Sequence, residues 1–125
     1  MSRVLVVDDE ESVREVLKTF LNERGYVVAE AASGPLAIAS MDSFRPDIVL
    51  LDIRMPGMDG IEVLQRLKER RKDIPVLMVT ATDDEDIARQ AIRLGASDYI
   101  TKPFSFAQLE TNLMVHLLLD DKCDG

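Results

Sequence analysis

The sequence has one cysteine, no tryptophan and no long apolar run. Cys123 has no partner within the chain, which excludes an internal disulfide and a CxxC metal or redox site. No run approaches the roughly 18 to 20 apolar residues that span a bilayer. Residues 1–3 lead directly into a short apolar segment, which is not the pattern of a signal peptide. We therefore expect a cytoplasmic protein without membrane association.

Positive charge is also scarce. Fifteen Lys and Arg residues stand against 23 Asp and Glu residues, so the net charge is -8, which disfavours nonspecific nucleic-acid binding. With 46% hydrophobic and 30% charged residues in a chain of 125, the composition is typical of one folded globular domain. We expect a single domain over 1–120, and a short polar tail over 121–125 that is either a terminus or the start of a linker to a further domain.

Five short apolar runs predict strands, namely Val4–Val7, Val27–Ala29, Ile48–Leu51, Val76–Val79 and Tyr99–Ile100. Because these runs are almost continuous, they favour parallel strands that are covered on both faces. Apolar residues at helical spacing between them predict helices over 10–24, 34–44, 60–71, 84–94 and 106–119. In this pattern Val16, Leu36 and Ile92 belong to the apolar faces, and Arg14 faces water. The alternation predicts a three-layer (βα)5 domain of the α/β class.

Polar side chains follow four of the five predicted strands, at the edge where open α/β sheets bind ligands. They are Asp8, Asp9, Asp52, Thr80 and Lys102. Carboxylates that converge there repel one another unless a cation lies between them, and both Lys102 and a hard divalent cation such as Mg²⁺ fit that requirement. An aspartate beside two such cations is a suitable nucleophile toward phosphorus. The second strand ends in Glu30 and two alanines, which indicate no function.

Four motifs at these strand ends carry a specific resemblance. They are VLVVDDE with Asp8 and Asp9, IVLLDIRMPGMDG around Asp52, VTAT with Thr80, and GASDYITKPF with Tyr99, Lys102 and Pro103. Found in this order, they show that residues 2–119 resemble the receiver domain of a two-component response regulator. The resemblance implies a flavodoxin-like sandwich with a parallel five-stranded sheet in the order 2-1-3-4-5.

The resemblance also implies a reaction at Asp52. In that family the equivalent aspartate accepts a phosphoryl group from a phosphohistidine of a sensor histidine kinase or a histidine phosphotransfer protein. Asp8, Asp9, Asp52 and the backbone carbonyl of Arg54 would hold Mg²⁺, with Mn²⁺ as a substitute. The chain would then be a signalling domain rather than an enzyme with its own substrate, catalysing only its own phosphorylation and slow self-dephosphorylation.

Three further roles follow from the resemblance. Lys102 would pair with Asp52 and then with the phosphoryl group, positioned by a cis bond to Pro103. Thr80 and Tyr99 would form the switch, in which the Thr80 hydroxyl moves toward the phosphoryl group and the aromatic ring turns inward. The surface of the predicted fourth helix, fifth strand and fifth helix, here called the 4-5-5 surface, would relay the change to an output domain or protein that the sequence does not identify.

Two departures from the common family pattern carry predictions. Arg54 stands two residues after Asp52, and Thr82 offers no carboxylate or amide to orient water, so we expect slow loss of the phosphoryl group. The segment 112–119 contains no Lys or Arg, which argues against a salt-bridged dimer through the 4-5-5 surface and leaves a phosphorylation-dependent dimer open. The single histidine, His116, receives no metal or acid-base role.

Three alternative functions share parts of this pattern. A hydrolase of the haloacid dehalogenase type needs a second acid two residues after its nucleophile, where this chain has Arg54. A flavodoxin-like FMN carrier needs a phosphate-binding loop after the first strand, where Asp8 and Asp9 would repel the phosphate. A binding module with the receiver shape but without phosphorylation stays open, although the complete acidic pocket argues against it.

Overall fold

A computed structural model of the chain describes residues 2–54, 59–81 and 84–124. Strands and helices alternate along it, in the order β1 (Arg3–Val7), α1 (Glu11–Glu23), β2 (Val27–Ala31), α2 (Gly34–Ser43), β3 (Ile48–Leu51), α3 (Gly60–Arg70), β4 (Val76–Thr80), α4 (Glu85–Arg93), β5 (Asp98–Thr101) and α5 (Phe106–Asp124). The first four helices match their predicted bounds to within one residue at each end. The fifth continues to Asp124 instead of ending at 119.

The five strands form one parallel sheet in the order β2-β1-β3-β4-β5, which confirms the prediction. Val7, at the end of β1, lies opposite Ala31 of β2 and Leu51 of β3. Thr80, at the end of β4, lies opposite Thr101 of β5. The register therefore brings the carboxyl ends of all five strands to one edge of the sheet.

Alternate residues of each central strand enter two separate apolar clusters. Val4 and Val6 pack with Leu17 of α1 and Leu109 of α5, on one face of the sheet. On the other face, the intervening residues of β1 pack with α2, α3 and α4, through side chains that include Leu5, Val7, Ala37, Met41, Val63, Leu64, Leu67 and Ala91. Because both faces are buried, the central strands need apolar residues at every position, which explains their continuous runs.

Three of the predicted core residues are instead exposed. Val16, Leu36 and Ile92 have 54%, 55% and 48% of their surface accessible. Successive residues of an α-helix point about 100° apart, and in each case a sequence neighbour is buried instead, namely Leu17, Ala37 and Ala91. Helical spacing alone therefore predicted an apolar face wider than the one that the sheet covers.

The helices begin in two ways. Side chains cap four of them, because Ser33, Asp59, Asp84 and Ser105 accept hydrogen bonds from backbone N–H groups in the first turns of α2, α3, α4 and α5. The described structure shows no side-chain cap at the start of α1, which follows Glu10.

In the part of the chain that the structure describes, no helix is both long and apolar enough to cross a membrane.

Candidate functional site

Two aspartates are buried at the carboxyl edge of the sheet. Asp8 follows β1 and is 3% exposed, and Asp52 follows β3 and is 6% exposed. Their backbones continue the strand pairing, because Asp8 N–H donates to the Ala31 carbonyl at 3.2 Å and Asp52 N–H donates to the Val7 carbonyl at 3.0 Å. The sheet itself therefore holds both carboxylates at the same edge.

Lys102 joins these two carboxylates. Its Nζ lies 2.8 Å from Asp8 Oδ2 and 3.5 Å from Asp52 Oδ2. Its backbone N–H donates to the Thr80 carbonyl at 2.8 Å, and the peptide bond between Lys102 and Pro103 is cis, in agreement with the expectation. Four predicted site residues, contributed by strand ends far apart in the sequence, thus meet in one place.

Charge in this pocket fixes the protonation of Lys102. Burial alone would lower the pKa of the ammonium, but the hydrogen bonds and attraction from Asp8 and Asp52 outweigh it, so the pKa of Lys102 lies above its usual value of 10.5. Lys102 therefore carries a positive charge throughout the physiological range. One ammonium between two carboxylates still leaves the pocket with a net negative charge.

Each buried carboxylate also accepts a backbone hydrogen bond from the loop that follows it. Asp8 Oδ1 accepts from Glu10 N–H at 3.0 Å, and Asp52 Oδ1 accepts from Arg54 N–H at 3.3 Å. Arg54 itself is exposed. These bonds hold the two carboxylates in fixed orientations before any ligand arrives.

The donor atoms at this edge suit a hard divalent cation. Carboxylate oxygens of Asp8, Asp9 and Glu10 lie within 4.8 Å of one another, and Asp9 and Glu10 are exposed. Oxygen ligands with accessible positions for water are what Mg²⁺ prefers. The cluster includes two predicted ligands, Asp8 and Asp9, and adds Glu10. Asp52 is linked to it through Lys102.

The two predicted switch residues lie on neighbouring strands. Thr80 is completely buried at the end of β4. Tyr99 pairs with Met78 in the register of β4 and β5, and its half-buried ring packs against the cluster beneath α3 and α4. Thr82, for which the sequence predicts a part in slow dephosphorylation, lies outside the described residues.

Asp98 links β5 to α5 on the 4-5-5 surface. It accepts a hydrogen bond from Asn112 Nδ2 at 3.1 Å, and its Oδ2 lies 3.3 Å from His116 Nε2. His116, for which the sequence indicated no role, therefore contacts the strand that carries Tyr99. Beside it α5 exposes three apolar residues, Met114, Val115 and Leu118.

Two residues near the site, Arg14 and Gly60, are not identified by the sequence patterns. Arg14 was expected to face water, but its side chain is only 14% exposed and contacts both the Asp8 carbonyl and Glu30. Gly60 begins α3 directly against Asp52 and Ile53, here called the Asp52 loop, and its N–H donates to the Ile53 carbonyl at 2.7 Å. A charged residue in the first turns of a surface helix and a glycine at a helix start are weak signals without the tertiary structure.

Comparison with known proteins agrees with this geometry. Residues 4–114 match the family model of the response regulator receiver domain. The chain is 41% identical over 117 residues to the alkaline phosphatase synthesis transcriptional regulatory protein PhoP of Bacillus subtilis, covering 94% of this chain and 48% of PhoP. It is 43% identical over 109 residues to the sensory transduction protein RegX3 of Mycobacterium tuberculosis, covering 87% of this chain and 48% of RegX3. The chain thus spans about half the length of these curated relatives.

Solved structures give the same result. The chemotaxis protein CheY4 of Vibrio cholerae is 32% identical, with a TM-score of 0.87 over 91% of this chain and 97% of its own. A CheY-like receiver domain from Methanospirillum hungatei is 28% identical, with a TM-score of 0.95 over 100% of this chain and 99% of its own. The chain belongs to the family of response regulator receiver domains of two-component systems.

Proposed function

We propose that Asp52 is the phosphoacceptor of this receiver domain and that a phosphohistidine is its donor, on a sensor histidine kinase or a histidine phosphotransfer protein. The observation that supports this most strongly is the position of Lys102, whose ammonium contacts both Asp8 and Asp52 in a buried pocket. A carboxylate of that kind is screened from solvent but lies beside a fixed positive charge. Both conditions favour its attack on an anionic phosphoryl group.

The transfer forms one bond and breaks another. A carboxylate oxygen of Asp52 attacks phosphorus, the bond between phosphorus and the histidine nitrogen breaks, and the leaving imidazole keeps the electron pair. Lys102 is already within reach of Asp52, so its ammonium moves only slightly to contact the incoming phosphoryl oxygens. Asp8 keeps the ammonium in the pocket during this exchange, through the 2.8 Å bond.

Mg²⁺, or Mn²⁺ in its place, is the proposed cofactor. Asp8, Asp9, Asp52 and the Arg54 carbonyl are the proposed ligands, and Glu10 belongs to the same group of carboxylates. When bound, the cation neutralises charge on the phosphoryl oxygens. The net negative charge that remains after Lys102 is counted supports the binding of a second cation in this pocket.

The proposed output passes from Thr80 to the 4-5-5 surface. A phosphoryl group adds about -1.5 to -2 charges and three strong acceptors, to which the Thr80 hydroxyl donates a hydrogen bond. Tyr99 then turns toward the space beside Thr80, and Asp98, its neighbour in sequence, transmits the change to α5. Because a ligand shifts an equilibrium only by its differential interaction with two states, the response is a change of population rather than of fold.

The partner at the 4-5-5 surface is an output domain or a separate protein. PhoP of Bacillus subtilis and PhoB of Pseudomonas aeruginosa, both similar to this chain, are named as transcriptional regulatory proteins, and this chain covers only 48% and 49% of them. Control of transcription by a further domain is therefore consistent with the family. The receiver itself, with its net charge of -8, is not the nucleic-acid-binding part.

Intact mass spectrometry tests the acceptor. The native protein, Asp52→Asn and Asp73→Asn are incubated with acetyl phosphate, with and without Mg²⁺, and Asp73 is an exposed control aspartate. We expect one added phosphoryl group in the native protein and in Asp73→Asn, only with Mg²⁺, and none in Asp52→Asn. A folded native protein that gains no phosphoryl group would contradict the proposal and favour a binding module that works without phosphorylation.

A further inference from the structure

Arg14 connects the acidic edge of the site to strand β2. Its Nη1 donates to the Asp8 carbonyl at 2.8 Å, and its Nε donates to Glu30 Oε1 at 3.3 Å. The side chain is only 14% exposed, although it lies on the first turns of a surface helix. One planar guanidinium thus binds two acceptors on two different strands.

The Asp8 carbonyl lies beyond the regular strand. The paired residues of β1 and β2 end at Val7 and Ala31, and Asp8 N–H makes the last backbone bond to β2. The Asp8 carboxylate is occupied by Glu10 N–H on one oxygen and by Lys102 on the other. With Arg14 on the carbonyl, the whole residue is held from four sides.

The turn that follows Asp8 needs this support because α1 begins without a side-chain cap in the described structure. The corresponding turns before α2, α3 and α4 are closed by Ser33, Asp59 and Asp84. Arg14 lies one turn into α1, and its backbone N–H also donates to the Glu10 carbonyl at 3.2 Å. Arg14 therefore binds both ends of the segment from Asp8 to Glu10, with its guanidinium on the Asp8 carbonyl and its backbone N–H on the Glu10 carbonyl.

Lys18 provides a natural comparison on the same helix face. Its Nζ lies 3.5 Å from the other carboxylate oxygen of Glu30, and its side chain is 45% exposed. The two residues share charge, helix and acceptor. They differ in one contact. The described side-chain hydrogen bonds of Arg14 include one to the Asp8 carbonyl, whereas that of Lys18 goes to Glu30.

We propose that Arg14 is the positioning residue of the cation site, holding the carboxylates of Asp8, Asp9 and Glu10 together by tying the Asp8 carbonyl to Glu30. This inference rests on the proposed function, since it concerns the site that would hold Mg²⁺. The described side-chain hydrogen bonds of Arg14 go to the Asp8 carbonyl and to Glu30, so it would act on the cation site through the backbone of Asp8. Residues that orient metal ligands in this way typically change metal affinity by about 10-fold to 100-fold when they are replaced.

Mn²⁺ binding tests this in the unphosphorylated protein, with no phosphoryl donor present. The free Mn²⁺ signal in electron paramagnetic resonance gives the affinity of the native protein, Arg14→Met, Arg14→Lys and Lys18→Met. All are measured at a temperature where thermal melting shows each to be folded. We expect Arg14→Met to bind about 10-fold more weakly, and Lys18→Met to stay within twofold of the native protein. Arg14→Lys keeps the charge but lacks the planar guanidinium, so its Mn²⁺ affinity should be lowered to the same extent as that of Arg14→Met.

Each other outcome overturns the inference. Native affinity in Arg14→Met would show that the turn holds its shape unaided, and native affinity in Arg14→Lys would show that only the charge matters. Equal losses in Arg14→Met and Lys18→Met would assign the effect to the general field of α1. A native protein that binds no Mn²⁺ leaves no cation site to position. Phosphorylation of Asp52, followed separately by mass, shows whether the proposed function fails with it.

Discussion

The ammonium of Lys102 lies closer to Asp8 than to Asp52, at 2.8 Å from Asp8 Oδ2 and 3.5 Å from Asp52 Oδ2. Asp8 is thus its main partner in the unphosphorylated protein, and Asp52 shares it. Asp52, the proposed phosphoacceptor, therefore contacts the ammonium without being its nearest partner. A group that arrives at Asp52 therefore meets a positive charge that is already in place, because Asp8 rather than Asp52 is the nearer partner of the ammonium.

Removal of this charge should make stability depend on Mg²⁺. In Lys102→Met two buried carboxylates face each other without a cation, which we expect to lower the free energy of unfolding by about 1–3 kcal/mol. Mg²⁺ would supply the missing charge, so the stability gained from added Mg²⁺ should be larger in Lys102→Met than in the native protein. Urea unfolding with and without Mg²⁺ measures this, with the exposed Lys72→Met as control. Equal Mg²⁺ effects in all three proteins would contradict it.

High pH should weaken the same contact. Because the folded-state pKa of Lys102 lies above 10.5, its contribution to stability is complete below that pH and is lost as the pH rises through the folded-state value. The stability difference between the native protein and Lys102→Met should therefore be constant to about pH 10 and should shrink above it. Urea unfolding across this range gives both curves.

Tyr26 titrates in the same region and needs its own control. Burial, with a smaller effect from Glu110, raises the pKa of the Tyr26 hydroxyl above 10.0, so its contribution has the same sign and also disappears at high pH. The comparison is therefore repeated in a Tyr26→Phe background. Tyr26 is common to both proteins, so its own contribution cancels in their difference, and the Tyr26→Phe background removes any coupling to Lys102. A difference that failed to shrink above pH 10 in this background would contradict the prediction.

Gly60 should be essential for the shape of the Asp52 loop. A Cβ at this position would collide with the backbone of Asp52 and Ile53, lying 2.8 Å even from the Ile53 carbonyl oxygen. Backbone cannot move aside as a flexible side chain does, so Gly60→Ala should cost about 1–3 kcal/mol and displace Asp52. Gly25→Ala is the matched control, because its φ of 92° is strained for alanine but nothing lies within 4 Å.

Both glycine variants should therefore unfold more easily than the native protein. Only Gly60→Ala should also lose phosphorylation from acetyl phosphate, measured by intact mass on protein shown to be folded. Full phosphorylation of Gly60→Ala would show that the collision does not displace Asp52. An equal loss of phosphorylation in Gly25→Ala would show that the loss comes from general destabilisation.

The sequence predicted the strands and the edge where the candidate site lies for a physical reason. Central strands covered on both faces have continuous apolar runs, and the carboxyl ends of parallel strands meet, so Asp8, Asp52 and Lys102 were assigned to one edge before any contact was known. The burial of Arg14 could not be predicted because helical spacing describes only an average face. The close approach at Gly60 could not be predicted because it depends on how near α3 lies to the loop after β3.

Arg54 should prolong the life of the phosphoryl group. Arg54 is exposed and lies two residues after Asp52, and its backbone N–H donates to Asp52 Oδ1. We expect its guanidinium to cover the side from which water would reach a phosphoryl group on Asp52. Arg54→Asn removes that cover and supplies an amide that orients water, and the phosphoryl half-life should shorten several-fold. The control is Arg66→Asn, since Arg66 pairs with Glu62 on the exposed face of α3. An unchanged half-life in Arg54→Asn would remove the argument.

Thr80→Val should separate phosphorylation from its output. The substitution keeps the shape of a fully buried residue and leaves Asp52 and Lys102 unchanged, so acetyl phosphate should still add one phosphoryl group. The hydroxyl that would contact this group is gone, so the phosphorylation-induced shifts of Tyr99 and of α5 in NMR spectra should be lost. Thr101→Val is the matched control, because Thr101 lies opposite Thr80 in the sheet but is exposed. Shifts of native size in Thr80→Val would show that the signal reaches the 4-5-5 surface without the Thr80 hydroxyl, and would direct attention to the Lys102 backbone N–H on the Thr80 carbonyl.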